Sequence, residues 1–565
     1  MVNLTIDGRE VALDAGFSLQ MNRDNSFFET RGDYTYEIEI SLSCDSNKQI
    51  YQGIQRPNTK FDKTGRRAVL REGPRMLISG LEVILSKEDD KVKIQIVANE
   101  SEFNFIISEK MSIRNIGLPD IELPTTERQL SAMNVGTYPA YKGALPFVYE
   151  SDPGWGWNAE NYNAVPYDEE KTYIIQPYLL WIVDMVVEKL GYHIGSNYLD
   201  SVDKYKRLII ASGVRTNETS KILPDWTVEE FITEVEKFFG VVFVFHSATR
   251  TLDIVKIDDF YASAGTVAIE DSSVIDSYDE EFTEDTAPFQ TQYRNVSYDH
   301  TENEYWQIAD MDDELYERCR KENKTIEPKD IDDVDQKDQV IYIDRANRFE
   351  WMQYVNEAGE LNATMINKFK GIKDDSVSET KLKIIPAKVM SANRLDDLGI
   401  YIVCGLVPEM FEENDGTLSE MVRREKESAP SVMQVAYFLG TVNSRYITGE
   451  TSSGRPKMPM AESARWTQWG NVPLKFGKEE FGEATRNKMT MEFSGDYGRI
   501  AQDLSNSVTI DTKHKYTYSF LTNSILDPKK IYIIHNVKYA CASLEYKIEN
   551  GKLSKVVTGI FYPMN

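Results

Sequence analysis

The stretch Ile222–Ile257, ILPDWTVEEFITEVEKFFGVVFVFHSATRTLDIVKI, restricts the fold more than any other part of the chain. Thr227 and Glu230 have the spacing of a capping box, and Phe231, Ile232, Val235, Phe238 and Phe239 follow at helical intervals. A helix with a buried face starts here. Gly240 is placed to take the left-handed conformation that ends a helix, and Val241–Phe245 is β-branched and aromatic. His246–Arg250 is turn-like, and Leu252, Ile254 and Ile257 follow. The spacing predicts a helix, a glycine stop and a hairpin.

The same grammar occurs upstream in QPYLLWIVDMVVEKLGYHIG, where Pro177 suits a first helical position, Leu179 to Leu190 is mostly apolar, and Gly191 precedes Tyr192–Ile194. Glu188–Gly191 echoes Glu236–Gly240, through an old duplication or through shared capping rules. Two such units make a compact mixed module, with helices and a sheet for them to cover.

A chain of 565 residues exceeds one core and suggests roughly three to five domains. The first hundred residues read as β. Val2, Leu4 and Ile6 alternate up to an Asp7–Gly8 turn; Tyr34, Tyr36, Ile38, Ile40 and Leu42 alternate with polar residues as one strand. Leu81–Leu85 and Val92–Val97 flank a charged turn, and Phe103–Ile107 continues as a strand. Closure into a small barrel or sandwich would protect the edges of so many antiparallel strands.

Residues 121–172 break the pattern with YPAYKGALPFVYESDPGWGWNAENYNAVPY, dense in Pro, Gly, Asn and aromatic residues. Trp155 and Trp157 offer surface that either fastens the loop to its own chain or a neighbour, or stacks on a sugar. A second aromatic and Pro/Gly region, 440–486, carries Trp466 and Trp469. Between these regions Ala309–Gln339 is nearly devoid of large apolar residues, and its Asp332, Asp333, Asp335 and Asp338 lack EF-hand spacing, as a solvated acidic face would. Strand signals resume at Val340–Ile343 and at Val432–Leu439; the chain closes on Tyr516–Phe520, Ile531–Ile534, Lys538–Ile548 and Leu553–Phe561, with Asn550–Gly551 as a hairpin turn.

The expected fold class is α+β, predominantly β and multidomain, with two small β-barrel-like domains and a mixed helix–strand module. The expected divisions are residues 1–120, an N-terminal β-barrel-like domain; 121–265, the aromatic loop and mixed module; 266–395, a second β-domain with an acidic insertion; and 396–565, a β-rich domain with long loops. Whether its last strands complete an earlier β-domain stays open at this level.

A formal charge of −27 disfavours a broad nucleic-acid groove, although a wall of like charge lets DNA pass without adhering. Cys44, Cys319, Cys404 and Cys541 show no zinc or disulfide spacing, and the five histidines form no HExxH pattern. Phosphate-loop, dinucleotide and GxSxG motifs are missing. No catalytic, cofactor-binding or metal residue is therefore named. Asp152, Glu160, Asp168 and Glu169 beside the tryptophan loop are the acids that a glycosidase reading would need. The N-terminus has no leader pattern and no segment has the length of a spanning helix, so synthesis in the cytoplasm and no membrane insertion are expected.

The opening IDGREVALDAGFSLQMNRDNSFFETRGDYTYEIEISLS resembles the N-terminus of tail hub proteins from bacteriophages and prophages. The two helix–strand units and the closing KIYIIHNVKYACASLEYKIENGKLSKVVTGIFYP are similar to the middle and the end of the same family. That resemblance implies a virion protein without enzymatic activity, a homotrimer whose subunits each bring two related β-barrels to a ring with six-fold-like symmetry. The implied neighbours are the tail tube, the distal tail ring, tail tip or fibre proteins and the tape measure, with DNA passing through the ring. The aromatic residues Trp155, Trp157, Trp466 and Trp469 are the candidate partner contacts. The rival readings are a glycan-binding or receptor-recognition protein and a tail-borne cell-wall glycosidase.

Overall fold

A computed structural model describes residues 2–28, 32–54, 65–107, 111–146, 174–212, 216–262, 264–275 and 514–564. It also describes the shorter segments 148–150, 156–158, 279–282, 296–298, 340–344, 349–355, 361–365, 380–387, 389–395, 401–410, 432–443, 445–446, 457–462, 468–469, 472–473 and 510–511. The acidic stretch with Asp332, Asp333, Asp335 and Asp338 lies outside the described residues.

The opening strand Val2–Ile6 buries alternate residues and turns through Asp7 and Gly8, both at positive φ, onto Arg9–Val11. Such a two-residue turn matches the right-handed twist of its strands. On its other side it pairs with Arg67–Glu72, which begins the antiparallel run Arg67–Glu72, Arg75–Lys87 and Lys91–Ala98. The strand expected over Tyr34–Leu42 is split in two. Tyr34 faces Val97 but Ile38 faces Ile94, so four steps on one strand meet three on the other. One extra residue flips the alternation: Thr35 is buried while Tyr36 is exposed. The Thr35 hydroxyl accepts the Ile96 N–H at 2.9 Å where the ladder is interrupted.

The expected strand at Phe103–Ile107 is also corrected. Asn99 at positive φ turns the chain, and Glu100–Ile106 forms a short helix that buries Glu100, Ser101, Glu102 and Phe103. Glu100, Ser101, Glu102 and Phe103 are buried in succession, which the alternation of a half-exposed strand does not give, and Phe103 and Ile107 reach the core one helical turn apart.

The closing strands join this same sheet. Leu19–Asp24 pairs with Ser543–Ile548 in antiparallel register, Val537–Glu549 pairs with Lys552–Pro563, and that strand pairs with His514–Leu521. The thirteen-residue strand Val537–Glu549 uses one edge twice, for Ile531–Ile534 near its start and for Leu19–Asp24 near its end. Asn550 and Gly551 at positive φ make the final hairpin turn. The result is a fourteen-stranded sheet whose path runs from Asp279–Phe282 to Arg9–Val11. Among the described residues these two ends do not pair, so the two small barrels expected from the sequence are not present as closed barrels. The shared long strand explains why: it joins the first and last segments instead of letting each close on itself.

The module is built as its grammar dictates, with one shift. Pro177 lies in a short strand pair with Gly143, Tyr178 is the N-cap, and Leu179–Lys189 is the helix, so Pro177 precedes the first turn. Leu179–Val183, Val186 and Val187 are buried around most of this helix, as expected for a helix covered on two sides. The second helix is Val228–Phe239, ended by Gly240 at φ 65° and ψ 47°. Thr227 accepts the Glu230 N–H at 3.0 Å, but the Glu230 carboxylate goes to Lys383 Nζ at 2.7 Å, so only half of the capping box forms.

Both helices touch a three-stranded sheet, ordered His193–Asn197, Thr251–Lys256, Val241–His246, and a four-stranded one built on Met433–Asn443. Leu208–Ile210, Ile384–Pro386 and Lys457–Glu462 flank Met433–Asn443. One apolar core unites these elements, from Phe103 to Ala461. The N-terminal sheet has its own core, from Val2 to Phe561. Structure is thus predominantly β with an α+β module.

Candidate functional site

The strand Val241–His246 lies between the module core and a third, smaller cluster. Val241, Phe243 and Phe245 belong to the module core, whereas Val242 and Val244 pack with Phe27, Phe260, Tyr261, Ile510 and Ala540. Burial on both faces accounts for the unbroken apolar run VVFVF. Phe103 stacks on Phe245 with centroids 4.2 Å apart, and Tyr192 meets the same ring edge-on.

One edge of this strand pairs with Thr251–Lys256; side chains cap the other. The Phe243 N–H donates to Glu236 Oε1 at 2.7 Å, the Phe245 N–H to Glu100 Oε1 at 3.4 Å, and the Ser247 N–H to Asn99 Oδ1 at 3.2 Å. Asn99 also donates its own N–H to the Ser247 hydroxyl. A bare strand edge buried in a joint would leave these donors unsatisfied, and the carboxyl and amide oxygens remove that penalty.

Burial pushes Glu236 up to about 8, with the neighbouring Glu100 adding to the shift. Glu100 is raised for the same first reason, against the pull of Lys529, whose Nζ lies 3.8 Å away. Glu102 is enclosed and raised by burial as well, although Arg67 Nη1 at 3.2 Å and Arg250 Nη1 at 2.7 Å face it. Arg67 also donates to the Ser247 carbonyl at 2.9 Å. Asp33 meets Arg23 at 3.2 Å in the same region. The joint is thus a polar seam set among aromatic rings.

A second feature opens beside the first helix. A cleft of about 460 Å³ is lined by Asp184, Glu188, Tyr192, His193, Asn197 and Asp200, among others. Asp184 is raised to about 7, by burial first and then by the charges of Asp200 and Glu188. Such a cleft can hold a proton near neutrality or favour a cationic group. On the outer face of the small sheet, Asp253 accepts from Ser196 Oγ at 2.8 Å and pairs with His246 at 2.9 Å. The carboxylate stands between the other two groups, which is not the order that activates a serine.

The aromatic candidates are not brought together by anything described. Trp155 and Trp466 lie outside the described residues, as do Asp152, Glu160, Asp168 and Glu169. Trp157 is in the strand pair that sets it opposite Val148, and Trp469 is opposite Val472. Asn158, next to Trp157, is buried; it donates to the Pro146 and Ile174 carbonyls at 2.9 and 2.6 Å and accepts the Ile174 N–H at 3.1 Å. Val148–Glu150 also runs parallel to Tyr401–Met410. Cys44 and Cys541 are free thiols, and burial raises that of Cys541 well above the ordinary range. Among the described residues no three His, Cys, Asp or Glu side chains are grouped to hold a metal, and no helix is long and apolar enough to cross a membrane.

Sequence reasoning passed over Glu236 and Glu100. The signal for Glu236 was an acid in the last helical turn, where the helix dipole disfavours it. Glu100 carries no comparable local mark.

No family model matches the chain, and no curated protein matches it. The solved structures that match it include two aligned over nearly its whole length. The 43 kDa tail protein of prophage MuSo2 from Shewanella oneidensis shares 8% identity over 99% of this chain and 96% of its own, with a TM-score of 0.31. A tail protein from Neisseria meningitidis MC58 shares 7% over 100% of this chain and 95% of its own, with a TM-score of 0.29.

Proposed function

We propose that the chain is a structural protein of a bacteriophage tail, a hub or baseplate component working as a ring of three copies between the tail tube and the tip. The reading starts from the sequence resemblance at the beginning, middle and end of the chain. The observation that carries it furthest is the pairing of Leu19–Asp24 with Ser543–Ile548, which builds the first and last resembling stretches into one body.

In this reading the protein works by symmetry and surface, without turnover. One repeated heterologous contact closes a three-fold ring without further specification. If the −27 balance extends to the lumen, DNA or a tape-measure protein slides past with few adhesive contacts. The tube, the distal tail ring and tip or fibre proteins are the neighbours, and Trp155, Trp157, Trp466 and Trp469 are the proposed contact residues.

The test is the mass of the purified protein by light scattering over a range of concentrations, followed by negative-stain averages. The expected species is three times the 64.8 kDa chain, with a central hole. A single-copy mass at every concentration, unchanged when tail-tube protein is added, would sink the reading.

A further inference from the structure

We propose that the outer edge of His193–Asn197 takes an added β-strand, an extended peptide segment of a partner protein that carries lysine or arginine side chains. The proposal is independent of the tail reading.

The three-stranded sheet of the module has two outer edges, and the fold treats them differently. On Val241–His246 and the residue after it, the outer N–H groups of Phe243, Phe245 and Ser247 are met by Glu236, Glu100 and Asn99. Among the described residues no strand pairs with the outer edge of His193–Asn197. Its inner bonds are made by the His193 N–H to the Arg250 carbonyl at 2.9 Å and by the Tyr198 N–H to the Ile254 carbonyl at 3.0 Å. The Ser196 N–H also turns inward, to Asp253 Oδ1 at 2.7 Å. Successive residues of a strand send their backbone groups to opposite sides, so those of Ile194 and Asn197 point outward. Ile194 stands opposite Leu252 and Asn197 opposite Ile254, with one extra residue between them. The bulge therefore leaves the two outward sets about 7 Å apart, the spacing of alternate residues in a regular strand. An incoming strand finds donors and acceptors in its own register.

The walls beside this edge select the occupant. Ile194 and Asn197 line the cleft of about 460 Å³, inside the range of about 300–1,000 Å³ that ligand pockets span. Asp184 and Glu188 from the helix Leu179–Lys189, and Asp200 from the short helical turn Leu199–Ser201, line it too. Among the described residues no lysine or arginine does. The acids meet only each other's repulsion there, since the charges of Asp200 and Glu188 add to what burial does to Asp184. A cation held in the cleft relieves that repulsion, and a carboxylate or phosphate would deepen it. Backbone groups alone would accept any strand; three acids without a cation beside them favour one with basic side chains.

The test is fluorescence anisotropy of a labelled, capped hexapeptide of alternating lysine and threonine, titrated with the full chain at about 0.15 M salt, where exposed charges beyond about 8 Å are screened. Saturable binding is expected, with hydrogen exchange slowed at least about tenfold in the segment 192–199. The triple variant Asp184→Asn, Glu188→Gln, Asp200→Asn should bind at least about tenfold more weakly. The same hexapeptide methylated on every backbone nitrogen keeps its charges without its donors, and should lose the binding. No saturation up to about 1 mM would overturn the proposal. Equal binding by the triple variant would do so too, because the acids would have no part in recognition. Equal binding by the methylated peptide would reduce the contact to charge and remove the added strand. Should the triple variant not fold, Asp200→Asn on the exposed turn serves instead: binding should weaken about threefold, and an unchanged affinity overturns the proposal.

Discussion

The two helix–glycine–strand units share a grammar and end in opposite conditions. After Gly240, at φ 65°, the chain enters a strand buried on both faces and capped along its free edge. After Gly191, at φ 79°, it enters His193–Asn197, a mostly exposed strand beside an acidic cleft. Each unit places a glutamate in its last helical turn. Glu236 reaches the Phe243 N–H, whereas Glu188 lines the cleft and adds to the charge that raises Asp184. Capping rules fix where a helix stops. What the next strand becomes depends on what the remainder of the chain lays against it.

The comparison is tested most severely in the residue before each glycine. Phe239 is buried against Tyr205 and Phe238, and Phe239→Ala should lower stability by about 3–5 kcal/mol in urea titration. Leu190→Ala in the open unit should lose about 2 kcal/mol, near the small end for such a truncation. Equal losses would mean that the sealed unit gains nothing from its second layer of neighbours.

The glycines should behave alike. Gly191→Ala and Gly240→Ala each force a left-handed residue to carry a Cβ, and each should lower stability by about 1–2 kcal/mol. At Gly191 the added carbon would meet nothing within 4 Å, so the loss there is backbone strain alone. A much larger loss at Gly240 would show that its surroundings, and not its torsion angles, are being disturbed.

The pH-dependent effect belongs to the cleft. The Asp184 proton is held more tightly in the folded protein, so this contribution is complete below about pH 4 and is lost as pH rises through about 7. Asp184→Asn should melt with the wild type at pH 4 and above it at pH 8. Coincident melting curves at both values would remove the buried-acid reading of the cleft.

Much of this was legible locally. The helix, its left-handed stop and the hairpin follow from Thr227, Gly240 and the run Val241–Phe245, because capping and β-branching act within a few residues. Tyr34–Leu42 misled because its alternation is real in sequence, while the extra residue between Tyr34 and Ile38 is set by the partner strand. The seam was illegible for a related reason: Glu100 and Phe245 are 145 positions apart, and no local pattern marks the site where they meet. The closing of the sheet joins still more distant segments, and here only likeness to another family offered a hint.

The sheet that ties Leu19–Asp24 to Ser543–Ile548 also sets a schedule. At about 5–20 residues per second, a ribosome delivers the later strand on the order of half a minute to two minutes after the earlier one. For that interval the nascent body has an open seat, and a copy cut short before Val537 keeps it open for good. Such a fragment offers its unpaired edge to any strand nearby and is prone to aggregate. Joining the two segments therefore leaves the sheet incomplete in any copy that lacks Val537–Glu549.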